Sequence, residues 1–153
     1  MTDHIVLEEF FQGVLDCHGV VVRRNGDIRH RFSAVLTAEW QTDAVEMLRG
    51  RLHEKYTYAS GHVYERLWRL TKENENGYIA TADDVDGLAT ITIRGFEVIR
   101  MYQLKIPIRT KHLTVDVEDM MWLTPGGVLV GKAVIRKMGV RIGELVTATV
   151  PRK

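Results

Sequence analysis

The chain has 153 residues, 45% of them apolar, which suits one domain with a sizeable core and calls for no second domain. Its 21 basic and 20 acidic side chains are spread along the sequence and leave a net charge of +1, so nothing in the totals marks nucleic acid or an anionic membrane as a partner. The single cysteine, Cys17, excludes an internal disulfide and a cysteine-based zinc cluster and points to a reducing cytoplasm; the opening residues lack the form of an export signal, and no run is long and uncharged enough to span a bilayer.

Residues 3–12 have helical spacing, with Ile5, Val6, Leu7 and Phe10 forming an apolar stripe and Glu8 and Glu9 facing away. Gly13 ends that pattern. From Val14 the period becomes two, and the helix is expected to plug or cover one end of a sheet. Asn25 and Gly26 both tolerate positive φ, which predicts a two-residue type I′ hairpin turn. The next strand, 28–40, places Ile28, His30, Phe32, Ala34, Leu36, Ala38 and Trp40 on one face. The segment 44–58 is long for one strand, and Gly50 in its middle is expected to mark a bulge.

Residues 52–68 read as a β-hairpin, with two aromatic and β-branched segments flanking Ala59, Ser60 and Gly61. Pairing Tyr58 with His62 sets the register. Counting outward by twos puts Tyr56 opposite Tyr64, Glu54 opposite Arg66 and Leu52 opposite Trp68, all on one face. A carboxylate facing a guanidinium among aromatics predicts a charge pair inside a core or cavity, where each ion is costly without the other.

Further strands are expected at 78–82, 88–93, 98–108, 112–123, 128–138 and 142–150, with short turns between them. The count of nine or ten strands with almost every connection short is the signature of an antiparallel meander, which removes its edges most simply by closing into a barrel. The expected fold is therefore mainly β, a single barrel domain over 1–153 with a short N-terminal helix at 3–12. A barrel of this size either fills with side chains or holds one small ligand.

The inward faces supply the candidate site. Tyr56, Tyr58, Tyr64, Trp68, Arg100 and Tyr102 are candidates to line a ligand cavity, giving apolar contact and groups that orient a ligand. Glu54 and Arg66 form the sharpest constellation: an anchor for a polar head, an acid–base pair, or a structural ion pair. Asp119 shares a face with Met121 and Leu123 and is the second candidate acid, with Lys137 or Arg100 as its partner. Asp83 and Asp84 fit turn capping better than chemistry. The six histidines are scattered singly and show no metal spacing; Gly126 and Gly127 lack the helix that a phosphate loop needs, and no cofactor is called for.

These residues resemble the bacterial family called domain of unknown function 3833 almost from end to end. The resemblance rests on Phe10-Phe11-Gln12-Gly13, on Arg24-Asn25-Gly26 with Arg31-Phe32, on Leu52, Glu54, Tyr56 and Tyr58 with Gly61, Arg66 and Trp68, and on Tyr78, Ala80, Ala82, Asp84, Val85, Gly87 and Ala89. Gly95, Tyr102, Ile106-Pro107, Glu118-Asp119-Met120-Met121 and Lys137, Gly139, Gly143 and Glu144 extend it. Two departures stand out: the family's Asp-Asp-Trp-Met run is Glu118-Asp119-Met120-Met121 here, with the aromatic moved to Trp122, and an expected asparagine is replaced by Gly131 or Lys132. The resemblance implies a calycin-like, lipocalin-like barrel and leans toward a lipid-like ligand.

Together these features favour a monomer or homodimer that binds a hydrophobic or amphipathic small molecule, fatty-acyl or isoprenoid-like, with neither nucleic acid nor a membrane span. The alternatives left open are a cofactor-independent isomerase, hydratase or lyase, in which Glu54 or Asp119 moves a proton while Arg66 stabilises negative charge, and an interaction protein whose barrel is filled solid.

Overall fold

Apolar and polar residues alternate along one strand after another, and a strand with one apolar face must bury it. The computed structural model, which describes residues 4–153, satisfies that demand with ten strands and one helix. After α1 (Leu7–Phe10) come β1 (Gly13–Arg23), β2 (Ile28–Thr42), β3 (Leu48–Tyr58), β4 (Val63–Asn74) and β5 (Gly77–Thr81). They are followed by β6 (Val85–Arg94), β7 (Glu97–Ile108), β8 (Lys111–Leu123), β9 (Leu129–Lys137) and β10 (Val140–Pro151). Each strand pairs antiparallel with its neighbours in sequence, and β1 also pairs with β10 from Leu15 opposite Pro151 to Arg23 opposite Gly143. The meander thus closes into a calycin-like barrel. On β2 the inward Phe32, Ala34, Leu36 and Ala38 are buried while the residues between them are exposed. No helix among the described residues is long and apolar enough to cross a membrane.

Hairpin loops in a meander alternate between its two ends. The loops after β1, β3, β5, β7 and β9 surround one end, the mouth. At the other end the segment carrying α1 covers the barrel: Trp40 donates its indole N–H to the Phe11 carbonyl at 2.7 Å, and the Ile5 amide donates to the Gly95 carbonyl at 2.9 Å. The helix is shorter than the periodicity of 3–12 predicts, one turn against nearly three, and residue 3 lies outside the described residues. Glu8 also departs from expectation. It turns inward to accept hydrogen bonds from Lys72 and Tyr78, which tie the plug to β4 and β5.

Two local expectations are corrected. At the first hairpin only Gly26 has positive φ, and the Arg23 amide bonds the Asp27 carbonyl, so the connection is a three-residue loop with glycine in the left-handed position. The same hydrogen-bond pattern recurs at Asp43 with Met47, Tyr58 with His62, and Thr124 with Val128. Gly50, expected to be a bulge, sits in regular pairing with both Trp40 and Leu70. Its role is close packing: a Cβ there would come within 2.5 Å of the Trp40 ring.

The interior is uneven along its axis. Leu15, Trp68, Tyr78, Val98 and Leu129, all toward the closed end, are at most 2% exposed, each contributing roughly 1.5–3 kcal/mol through burial. Toward the mouth the packing thins and leaves space.

Candidate functional site

The β3–β4 hairpin has the register that counting outward from its loop predicts: Tyr56 faces Tyr64, Glu54 faces Arg66 and Leu52 faces Trp68. On the opposite wall Arg100 faces Asp119 and Tyr102 faces Val117 across β7 and β8. These strands bring two guanidiniums, two carboxylates and several aromatic rings into the barrel.

Glu54, 4% exposed, accepts a hydrogen bond from Trp68 Nε1 at 3.0 Å and a longer one from Arg66 Nη1 at 3.5 Å. The closer partner of Arg66 is Asp84. Arg66 Nε lies 3.0 Å from both Asp84 carboxylate oxygens and Nη2 lies 2.9 Å from Oδ2, while the Tyr64 hydroxyl donates to that same oxygen. Asp84 therefore does more than cap the turn between β5 and β6, the role expected from its position there. Asp119 takes the second of its two expected partners, with Arg100 Nη2 2.5 Å from Oδ2; Lys137 bonds the Thr114 carbonyl instead.

Trp68 lies between the cations, its ring 5.0 Å from the Arg100 guanidinium and 5.7 Å from that of Arg66, so one indole contributes cation–π attraction to both. Tyr102 meets Trp68 edge-on at 5.2 Å and also sits under Arg100. Burial opposes the charge on both arginines, but Glu54 and Asp84 around Arg66, and Asp119 beside Arg100, outweigh it and hold both guanidiniums firmly protonated. Burial raises the Asp84 carboxyl, yet the hydrogen bond and charge of Arg66, with Tyr64, bring it below its ordinary value. Tyr56 and Tyr102 are pushed up by burial and stay neutral.

Two cavities flank this layer. The larger, about 560 Å³, opens at the mouth; its wall includes Phe32, Leu104, Ile106, Val117, Ile135 and Leu145. Tyr56, Tyr58, Tyr64, Arg66, Asp84 and Tyr102 give it one polar side, and Arg29, His30, His62 and Lys105 stand at its opening. Tyr58 lies between His30, which it meets edge-on at 5.7 Å, and His62, tilted against it at 6.0 Å. The smaller cavity, about 70 Å³, lies deeper, against α1 and lined by Glu54, Arg100, Asp119, Cys17 and Thr149. Arg100 Nε is buried without a hydrogen-bond partner among the described residues.

The structure thus sorts the sequence-predicted residues into two groups. Tyr58, Tyr64, Arg66 and Tyr102 reach the large cavity, Glu54, Arg100 and Asp119 line the small one, Tyr56 borders both, and Trp68 is sealed between aromatic and cationic neighbours. Asp84 is the group that sequence reasoning placed elsewhere. Among the described residues no three His, Cys, Asp or Glu side chains converge as a metal site.

The fold is similar to that of the S-type phycobiliprotein lyase CPES from Guillardia theta, with a TM-score of 0.70 over 99% of this chain and 95% of that one at 10% identity. No curated protein matches the sequence. A family model described as protein of unknown function (DUF3833) matches residues 1–150, and the chain belongs to that family.

Proposed function

We propose that this barrel binds a hydrophobic or amphipathic small molecule, fatty-acyl or isoprenoid-like, in the cavity at its mouth. The observation that carries the reading is the cavity itself. Its volume of about 560 Å³ falls within the roughly 300–1,000 Å³ usual for ligand sites, and its walls are mostly aliphatic and aromatic, with the Arg66–Asp84 pair on one side and cations and histidines at the opening. Arg66 and Asp84 neutralise each other, so this side of the cavity offers a ligand hydrogen-bonding edges and phenol hydroxyls rather than a bare charge. The fold is shared with a protein named as a lyase of phycobiliproteins, which is consistent with a ligand-handling barrel.

An acid–base role for Glu54 or Asp119 fits this geometry less well. Both have salt-bridge partners and line a cavity of about 70 Å³, which holds no more than a few waters. A substrate in the large cavity would meet Arg66, Asp84 and Tyr64 first.

The test is native against denatured mass spectrometry of freshly purified protein, followed by titration with a fluorescent fatty acid. The expected result is a co-purifying apolar compound, or saturable binding of the probe. Ile106→Trp, which places an indole in the cavity, should weaken probe binding at least about tenfold, the effect of losing roughly 1.4 kcal/mol, with little change in melting temperature. An empty protein that binds no probe would overturn the reading in favour of a structural barrel.

A further inference from the structure

The net charge of +1 averages over two ends of very different character. At the closed end α1, the loops and the adjoining strand ends carry Glu8, Glu9, Asp43, Glu46, Glu73, Glu75 and Glu97, interspersed with Arg49, Lys72, Arg94, Arg152 and Lys153, and Asp43 and Glu8 are paired with Arg49 and Lys72. At the mouth, the β1–β2, β7–β8 and β9–β10 loops stand next to one another around the rim, because β1, β10, β9, β8 and β7 are consecutive in the closed sheet. These three loops and the strand ends beside them bring Arg23, Arg24, Arg109, Lys111 and Arg141 to the surface against one acid, Asp27. Arg141 is paired with Glu144 at 3.1 Å; Arg23, Arg24, Arg109 and Lys111 have no carboxylate in salt-bridge range among the described residues. Asp83, Asp84 and Asp86 belong to the β5–β6 side of the rim, outside this arc.

The same loops and the strand ends beside them expose aliphatic side chains. Ile28, Ile108, Met138, Val140 and Ile142 are between 41% and 87% exposed, with Met138 the most open large apolar residue among those described. Two tips are also strained. Arg109 and Met138 have φ of 56° and 52°, the left-handed region that a cation and a long thioether side chain rarely occupy. Both sit first in two-residue hairpin loops, where the turn requires positive φ, and the turns hold a cation and an apolar group outward at adjacent tips.

We propose that this arc docks the mouth of the barrel on an anionic lipid bilayer, with Arg23, Arg24, Arg109 and Lys111 at the headgroups and Ile108, Met138 and Val140 entering the interfacial layer. Charge complementarity selects an acidic surface. The aliphatic tips select a bilayer over a nucleic acid, which offers them no apolar layer to enter. The large cavity opens within the same rim, next to Arg29 and Lys105, so a docked barrel has its opening against the lipid.

Flotation of the intact protein with phosphatidylcholine vesicles, with and without phosphatidylglycerol, tests this directly. Binding is expected to the phosphatidylglycerol vesicles at low salt and to fade at high salt. Each surface cation contributes about fivefold to such partitioning, so Arg24→Gln/Arg109→Gln/Lys111→Gln should weaken it roughly a hundredfold, and Met138→Ser should weaken it with the charges intact. Melting curves establish that the variants fold, and the salt series on the unaltered protein tests the same claim with no variant at all. Absence of flotation with acidic vesicles at low salt, equal flotation with both vesicle types, or retention on an acidic polymer alone would overturn the proposal. The vesicles are scored for protein and not for ligand, so failure here leaves the cavity's own test untouched.

Discussion

At the residue scale, Asp84 has the most to lose. It is mostly buried, accepts from Arg66 and Tyr64 together, and is the nearer of the two carboxylates around Arg66. Replacing it leaves a guanidinium with only the 3.5 Å contact to Glu54, so Asp84→Asn should destabilise the fold by about 3 kcal/mol, measured by urea unfolding near neutral pH. The pH dependence follows from the direction of its shift. Because the folded carboxyl lies below its ordinary 3.8, its stabilisation is complete well above that value and is lost as pH falls through 3.8 toward the folded value. The variant should show a shallower loss of stability below about pH 5 than the unaltered protein. The Glu54, Arg66 and Trp68 grouping was legible because one loop sets the register of two adjacent strands, and counting outward from Gly61 does the rest. Asp84 was less legible: the β4–β5 register that carries it opposite Arg66 is offset by an irregularity between Lys72 and Asn74, and β5 itself ends at Thr81, so a count from that loop misses it.

At the scale of elements, four hairpins share one three-residue loop, and three of them place glycine at the left-handed position: Gly26, Gly61 and Gly127. The fourth, between β2 and β3, places Glu46 there at φ 61°, with its side chain exposed. A side chain in that conformation costs on the order of 1 kcal/mol, and Glu46→Gly should raise stability by about that much, visible as a higher melting temperature. The alternation of apolar residues placed the strands to within a few residues, because burying one face leaves period two in the sequence. The turn after β1 escaped it. Asn25-Gly26 favours a type I′ turn locally, but β1 and β2 close around three residues instead. Gly50 escaped for a different reason: what demands a glycine there is the Trp40 ring on the facing strand, ten residues away in sequence.

At the scale of the whole molecule, the barrel is nearly filled toward α1, where a cavity of about 70 Å³ remains, and hollow toward the mouth. Backbone amides in the closed half are shielded by packed side chains, whereas those near the mouth are backed by a cavity. Hydrogen–deuterium exchange should therefore run faster in the mouth-side halves of β2, β3, β7 and β8 than in their other halves, and a bound ligand should slow only the faster set. Equal protection along each of these strands would show that the space contributes no local looseness. Closure itself was legible from short connections and the need to bury edges; hollowness was not, because an inward tyrosine reads the same whether it borders packed atoms or a void.

Pairing of the first strand with the last has a practical consequence for geometry. Leu15 lies opposite Pro151, and the Arg152 amide bonds the Val14 carbonyl, so β1 begins and β10 ends side by side at the closed end, away from the mouth. Anything joined after Lys153, whether a fusion partner, a dye or a tether to a sensor chip, attaches at that end, and a layer of molecules anchored there would present its openings uniformly to the solution.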